Sequence, residues 1–368
     1  YGASTLSPAQ RQESQSRLLD WALAEIAGAA TQWYGPGQLD AAEEVRRNRG
    51  NIRAAMHVAF SEPALRGRAE DVATALGGAP FLWACGIAIR EHRMWLGQVL
   101  DMPGVGPVSL GRLLAVLGLV ATLQGDQEAA RYALRRSAEI AATADDGATL
   151  VLVTHVSGLR AFFGGEFDTA KTLLDSAERS YAALGTPADQ LSMLRIHQGM
   201  LSASMLDVDA ARTAFQQVYD ASAISGDLWF RSYATYGLGL VLWLNGDHES
   251  AVESATEALR RHREFDDVVG TTLMTDLLGW SLAAAGSGES AAVLMGAASA
   301  MWGSFGQQLY GSEHWNALRG SALDKVRGKM SNSGFDAAWK RGEAMSSTEL
   351  LAYVLAEPTA PPMVDPHE

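Results

Sequence analysis

Cysteine, basic residues and long apolar stretches are scarce in this sequence, and each scarcity argues against a class of protein. Its 368 residues contain one cysteine, Cys85, which excludes an internal disulfide framework and a cysteine-rich metal site. Lys and Arg number 29 against 42 Asp and Glu, a net charge of -13, which argues against a nucleic-acid-binding surface. The longest apolar stretch, residues 113–123, is interrupted by Gly118 and is too short to span a bilayer. With no secretory signal either, we expect a cytoplasmic protein.

Motifs for catalysis and metal binding are also missing. The eight histidines include no HxxxH or HExxH pair, and the serines include no GxSxG elbow. Cys85 is interpreted as a small core residue rather than a nucleophile. We therefore expect neither an enzyme nor a bound metal. The sequence starts at Tyr1 rather than at a methionine, so we also expect it to be one part of a longer protein.

What the sequence does contain is a repeat of about forty residues. Two series of positions, seven residues apart, recur in five consecutive copies, and an alanine follows the second series at a fixed distance. The first series is Gly118, Gly158, Gly199, Gly239 and Gly279, and the second is Gly125, Gly165, Leu206, Gly246 and Gly286. A repeat of this length indicates a stacked array of small structural units.

Each unit is predicted to be a helical hairpin. A glycine within the first helix allows a close approach to the second, and the second glycine suits the left-handed residue that ends a helix. The next acidic residue then caps the following helix. First helices are predicted at 109–124, 148–164, 189–205, 228–245 and 268–285, and second helices at 127–144, 167–184, 208–225, 248–265 and 289–303. The predicted fold is an all-α, right-handed superhelical solenoid of tetratricopeptide-like hairpins.

The two ends of the chain depart from the repeat. We expect an N-terminal helical cap over 1–60, the solenoid over 61–306 and a C-terminal helical cap over 307–357. Three short helices are predicted in the C-terminal cap, the last of them capped by Ser347. The proline-containing residues 358–368 are predicted to be a disordered tail or a linker.

Five short segments carry a resemblance to a known family. Residues 51–56 read NIRAAM and residues 83–96 read WACGIAIREHRMWL, and three more segments follow near the end, AAVLMGA at 291–297, FDAAWKRG at 335–342 and STELLAYVL at 347–355. In this order they resemble the repeat region of MalT-like and AfsR-like bacterial regulators. The resemblance covers residues from about 15 to 357.

That resemblance implies a sensor of a small organic inducer in a transcription regulator. It also implies an upstream signalling ATPase module that binds ATP, self-association of the full-length protein, and often a LuxR-type helix-turn-helix downstream. This chain has no GxxxxGK[ST] loop and no recognisable recognition helix after Pro358. We therefore expect it to bind neither ATP nor DNA directly, and to act through its intramolecular contact with the ATPase module.

A candidate binding surface follows from the register of the first helices. These helices line the concave face of such an array, and the positions spaced around each glycine are expected to point inward. They are aromatic, methionine-rich and sparsely polar, which is typical of a pocket for an organic ligand. The predicted ligand-binding residues are His155, Phe162, Met193, Met200, Tyr233, Tyr236, Trp243, Asp276 and Trp280.

Two other interpretations of this surface stay open at this point. A tightly wound superhelix would bury the same residues as ordinary core. Alternatively, the concave face is an open groove that takes a peptide or helix from a partner protein. An enclosed pocket would favour a ligand sensor, and a continuous open groove would favour a scaffold.

Overall fold

The structure, a computed structural model, describes residues 6–186 and 191–356. This part of the chain is built from α-helices joined by short turns and a few 3-10 segments, with no strand in it. The helices are α1 (Pro8–Gln32), α2 (Gln38–Ser61), α3 (Ala69–Gly78), α4 (Ile89–Leu100), α5 (Pro107–Leu123), α6 (Gln127–Thr143), α7 (Gly147–Phe163), α8 (Phe167–Ala183), α9 (Ser192–Ser204), α10 (Val208–Ser225), α11 (Leu228–Leu244), α12 (His248–His262), α13 (Val268–Ala285), α14 (Gly288–Phe305), α15 (Glu313–Arg327), α16 (Asn332–Glu343) and α17 (Ser347–Leu355). The all-α class is confirmed.

The five predicted hairpins are confirmed as α5–α6, α7–α8, α9–α10, α11–α12 and α13–α14. A Cβ atom added at Gly118 would lie 2.7 Å from Leu134 on the partner helix, and one at Gly279 would lie 2.7 Å from Met295. Real Cβ atoms do not approach so closely, so glycine is needed where the helices of a hairpin cross. The repeat alanines are all fully buried at these contacts, namely Ala130, Ala170, Ala211, Ala251 and Ala291.

The turn inside each hairpin uses the left-handed backbone that the second series predicts. Gly125, Gly165, Gly246 and Gly286 have φ between +76° and +94°, and Leu206 occupies the same position with φ +61°. An L-residue with a side chain is strained there because its Cβ crowds the backbone. The Leu206 side chain is 71% exposed, so little burial offsets this strain.

Replacing Leu206 by glycine is expected to stabilise the protein. Relief of the left-handed strain should stabilise the folded protein by about 1–2 kcal/mol. The extra backbone freedom of glycine stabilises the unfolded chain and offsets about 0.5–1 kcal/mol of this stabilisation. We therefore expect the free energy of unfolding in urea to rise by up to about 1 kcal/mol. Gly246→Leu is the converse control and should destabilise, whereas a loss of stability in Leu206→Gly would show that the leucine side chain contributes packing.

The structure differs from the sequence-based predictions mainly at the two ends of the solenoid. The last helix, α17, is capped by Ser346, whose side chain accepts from the Glu349 amide, so the prediction of Ser347 as the cap was wrong by one residue. Gly50 lies inside α2. Gly86 has a left-handed φ of +84° and ends a four-residue 3-10 segment rather than a full helix. The predicted tail 358–368 lies outside the described residues.

Two sets of long-range hydrogen bonds close the superhelix on itself. The Gln38 side chain accepts from the amides of Leu228 and Trp229 at 3.1 and 2.9 Å, so the start of α2 caps the start of α11. On the other side the Gln307 amide donates to the Gln124 carbonyl at 3.0 Å, and the Gln124 side chain donates to the carbonyl of Phe305 at 2.8 Å. We call these contacts the two clasps. They join segments more than 180 residues apart in the sequence.

Helix α13 is a long apolar helix of the solenoid. Its 18 residues are long and apolar enough to cross a membrane by length and composition, and it is the one such helix among the described residues. Yet 78% of it is buried inside the protein, against α12, α14 and α15. This burial is what a central core helix requires.

Candidate ligand chamber on the concave face

The concave face is covered by aromatic side chains from outside the repeats. Trp33 follows α1, Phe81 and Trp83 lie between α3 and α4, and Tyr310 follows α14, and all four are buried. The Trp33 and Phe81 rings stack with their centroids 4.0 Å apart, and Trp33 packs edge-on against Trp229 at 5.3 Å. The inner surface of the solenoid is therefore covered by segments from outside the repeats and is not a continuous open groove.

Two cavities remain between these aromatic side chains and the first helices of the hairpins. Their volumes are about 40 and 80 Å³, and we call them together the central chamber. Their shared wall residues are Trp83, Leu119, Met193, His197 and Trp229. The smaller cavity is also lined by Leu123, Phe163, Ile196, Met200, Tyr233, Val269, Leu273 and Tyr310, and the larger by Trp33, Tyr34, Pro80, Phe81, Leu152, His155, Val156 and Tyr181. First helices of all five hairpins therefore contribute to the chamber.

The polar groups of the chamber wall include a pair of buried histidines. His155 Nε2 and His197 Nδ1 are 2.9 Å apart, and His155 Nδ1 lies 3.4 Å from the hydroxyl of Tyr181. Burial lowers the pKa of His155 to about 4, and burial together with the neighbouring His155 lowers the pKa of His197 well below its ordinary value. Burial also raises the pKa of Tyr181. All three groups are therefore neutral at pH 7.

The predicted ligand-binding residues divide between the chamber and three other environments. His155, Met193, Met200 and Tyr233 lie in the chamber wall, as their inward register indicated. Phe162 and Tyr236 are buried in the surrounding core and line neither cavity. The remaining three lie elsewhere, with Trp243 and Trp280 facing a separate cavity and Asp276 paired inside the protein.

Trp243 and Trp280 belong to a cavity of about 150 Å³ at the C-terminal end of the solenoid. Their rings are 5.7 Å apart, and α15 supplies Leu318 and Lys325 to the other wall. This cavity involves the C-terminal cap and does not share a wall residue with the central chamber. The nine predicted residues thus do not form a single pocket.

Asp276, one of the predicted ligand-binding residues, has its partner within the chain. Its carboxylate accepts from Arg319 Nε at 2.8 Å and from Trp302 Nε1 at 2.7 Å. Arg319 also donates to the Met295 carbonyl at 2.6 Å. Asp276 and Arg319 are 1% and 2% exposed, so this ion pair is internal and links α13 to α15.

Polarity distinguishes the central chamber from a larger cleft elsewhere in the described part of the chain. That cleft, of about 500 Å³, opens to the surface where the loop before α4 meets the starts of α13 and α17. Its walls include Arg90, Arg263 and Asp266, whereas no Asp, Glu, Lys or Arg lines either cavity of the chamber. A charged ligand would lose its hydration in the chamber without an opposite charge to compensate. The chamber is suited to neutral, largely apolar molecules.

Sequence reasoning missed the part of the chamber that comes from distant segments. Trp33, Phe81, Trp83 and Tyr310 lie outside the forty-residue pattern, so no periodicity relates them to the concave face. The one available signal was the run of large apolar residues Phe81–Leu82–Trp83 in a segment without helical periodicity. His197 was missed for a different reason, since its position, two residues before Gly199, was not assigned to the inward register.

Comparison with known proteins gives a distant similarity to transcription regulators. Three curated relatives are provisionally named HTH-type transcriptional regulators, two from strains of Mycobacterium tuberculosis and one from Mycobacterium bovis. Each is 25% identical to this chain over 308 residues, which are 79% of the chain and 33% of the relative. The chain therefore spans about a third of the length of these relatives. No family model matches it.

Proposed function

We propose that this chain is the effector-sensing region of a cytoplasmic transcription regulator and that it binds a small organic inducer in the central chamber. The observation that carries the proposal is the composition of the chamber wall. First helices of all five hairpins, the segments around Trp33 and Trp83, and Tyr310 of the C-terminal cap meet at the apolar wall of this chamber. A molecule bound there contacts the first helices of all five hairpins at once.

The proposed mechanism is a shift between two arrangements of the superhelix. In the structure the clasps hold the ends together, and the chamber is smaller than the few hundred Å³ of an ordinary ligand site. In the second arrangement the chamber is expanded and the clasps are altered. An inducer that binds this arrangement more tightly than the first shifts the equilibrium towards it. Because Gln38 lies on α2, a change at its clasp reaches the segment that resembles the junction with the ATPase module.

The remaining parts of the proposal concern the longer protein. The resemblance in residues 51–56 supports an ATP-binding signalling module upstream and self-association when inducer and ATP are both bound. The name shared by the relatives supports a DNA-binding helix-turn-helix elsewhere in the full-length regulator. In this proposal the chain itself is not an enzyme and binds neither ATP nor nucleic acid.

A protein-interaction scaffold is the alternative function. Such a protein needs an open, continuous groove for a partner peptide or helix. The concave face is instead covered by Trp33, Phe81, Trp83 and Tyr310, all of them buried. This closure favours the sensor.

A thermal-shift screen against neutral organic compounds tests the sensor proposal. A ligand at 100 times its dissociation constant adds about 2.7 kcal/mol of stability, which corresponds to about 4 °C in Tm for a domain of this size. We expect such a shift to be lost in Met193→Trp, because the larger side chain fills the chamber. Met205→Trp is the matched control, since Met205 follows the same helix but is 41% exposed.

Two outcomes would overturn the proposal. One is the absence of any shift across a broad library while the protein is well folded. The other is a shift that persists unchanged in Met193→Trp, which would place the ligand outside the chamber. Binding of a peptide library to the same protein would then support the scaffold.

A further inference from the structure

The cavity of about 150 Å³ at the C-terminal end of the solenoid has two unused hydrogen-bond donors among its wall residues. We call it the cap cavity, and its walls include Trp243 of α11, Trp280 of α13 and Leu318 and Lys325 of α15. The Nε1 atoms of both tryptophans are buried and have no hydrogen-bond partner among the described residues. An indole N–H donates and does not accept. A ligand that brings an acceptor to these groups gains hydrogen bonds that the protein leaves unmade.

The charge of the wall indicates which kind of acceptor fits. Lys325 is the one charged residue that lines the cap cavity within the described ranges. In the C-terminal cap the ion pairs between described residues use Arg319 and Arg341, so the Lys325 ammonium is left without a carboxylate. Lys325 is exposed, so a group that pairs with it keeps part of its hydration. A negatively charged acceptor therefore suits the cap cavity, whereas the central chamber, with no charged wall residue, suits a neutral molecule.

The size and the remaining walls indicate what carries this acceptor. A cavity of about 150 Å³ in another protein holds one benzene molecule, and the cap cavity has the same volume. The walls away from Lys325 include the apolar side chains of Leu318, Ala283 and Ala322. The rings of Trp243 and Trp280 are tilted by 54° at a centroid distance of 5.7 Å, an arrangement that offers aromatic edge and face contacts to a third ring. There is room for one ring.

We propose that the cap cavity is a second binding site, separate from the central chamber, and that it takes a small carboxylate with a single aromatic ring. The carboxylate pairs with Lys325 and accepts from the N–H groups of Trp243 and Trp280, and the ring fills the apolar part of the cavity. A carboxylate has about four lone-pair sites, which is enough for three donors. Because the walls come from α11, α13 and α15, the bound molecule holds the C-terminal cap against the solenoid.

Calorimetric titration at pH 7 with benzoate and three related compounds tests the ligand class. Benzamide is a neutral analogue of nearly the same shape, and benzoate should bind about 10-fold more tightly because its hydrogen bonds are charge-assisted. Acetate lacks the ring and benzylammonium has the opposite charge, so both should bind at least about 10-fold more weakly than benzoate. No binding of benzoate at millimolar concentration, or equal or tighter binding of any of the other three, would overturn the proposal.

Substitution of Lys325 tests the role of its charge. In Lys325→Met the affinity for benzoate should fall about 10-fold to the level of benzamide, while the affinity for benzamide stays within twofold of wild type. Lys340→Met removes the same charge from an exposed site on α16 that does not line the cap cavity, and it should leave both affinities unchanged. A benzoate affinity that survives Lys325→Met, or that falls equally in Lys340→Met, would contradict the assignment of Lys325.

The indole N–H signals in the NMR spectrum of the wild-type protein locate the ligand without any variant. The signals of Trp243 and Trp280 should shift on addition of benzoate, because their N–H groups gain an acceptor. Trp33 and Trp83 are internal controls, since their Nε1 atoms are also buried without a partner but these rings line the central chamber. Shifts confined to Trp33 and Trp83 would place benzoate in the chamber and overturn the proposal.

This inference does not rest on the proposed sensor function, and the two are tested separately. Met193→Trp fills the central chamber and should leave the affinity for benzoate within twofold of wild type. Loss of benzoate binding in Met193→Trp would contradict the second site. If no neutral compound raises Tm, the sensor proposal fails while the benzoate titrations still decide on the cap cavity.

Discussion

Replacing Arg319 by methionine is expected to lower the free energy of unfolding by about 3–5 kcal/mol. The change removes the partner of Asp276 and leaves a carboxylate that is 1% exposed with the Trp302 N–H as its hydrogen-bond donor. An isolated buried charge is costly, because the interior does not replace its hydration. Urea unfolding at pH 7 measures the effect. Since Arg319 also donates to the carbonyl of Met295, the packing of α15 on the solenoid should loosen as well.

Two further variants distinguish the destabilisation caused by the unpaired buried charge from that caused by lost packing. The double change Asp276→Leu with Arg319→Met should recover most of the stability, because apolar replacements of a whole buried ion pair are often neutral. Arg341→Met is the matched surface control, since the Arg341–Glu289 pair joins α16 to α14 but its side chains are 48% and 68% exposed. That control should cost at most about 1 kcal/mol. A double variant as unstable as Arg319→Met would show that packing, not the unpaired charge, dominates.

Acidification from pH 7 to pH 5 is expected to destabilise the fold strongly through its buried histidines. Burial lowers the pKa of His92 to about 3 and that of His155 to about 4, whereas each is near 6.5 in the unfolded chain. Between these values the unfolded state binds protons that the folded state does not. The stability is therefore present above about pH 6.5 and is lost as pH falls towards the folded pKa values. Each of the two histidines should cost about 2 kcal/mol at pH 5.

Urea unfolding at several pH values between 7 and 5 measures this dependence. His92→Leu should reduce the loss by about 2 kcal/mol, because His92 is fully buried and its pKa is lowered by burial alone. His57→Leu alters an exposed ring and should leave the pH dependence as in wild type. An unchanged slope in His92→Leu would mean that this ring is accessible to protons in the folded state.

Sequence analysis singled out Asp276 but neither Arg319 nor His92, although these two predictions depend on all three side chains. Asp276 was predicted to bind the ligand because its register points inward, whereas the structure pairs it with Arg319 inside the protein. Nothing in the spacing of residues 276 and 319 relates them, since Arg319 lies in the cap where the repeat has ended. His92 carried no signal, because burial depends on what packs over a helix rather than on the helix itself.

The candidate site was predictable where it depends on the repeat. His155, Met193, Met200 and Tyr233 face the chamber because helical periodicity fixes which side of a first helix points inward. Distance from the glycine anchor was not sufficient by itself, since Tyr236 has the same offset from its glycine as His155 and lines neither cavity. The contribution of Trp33, Phe81, Trp83 and Tyr310 was not predictable, because these residues reach the chamber through loops that follow no period.

The sequence by itself determined the local structure of this protein. Glycine at the helix crossings, left-handed turns and acidic caps act within a few residues of each other, so the five hairpins and their register followed from composition and spacing. Only the tertiary structure decided how far the solenoid winds and what its interior contains. The clasps of Gln38 with α11 and of Gln124 with Gln307 join residues more than 180 positions apart, and contacts between such distant segments form only when the whole array has stacked. For this physical reason the aromatic chamber was visible in the folded molecule alone.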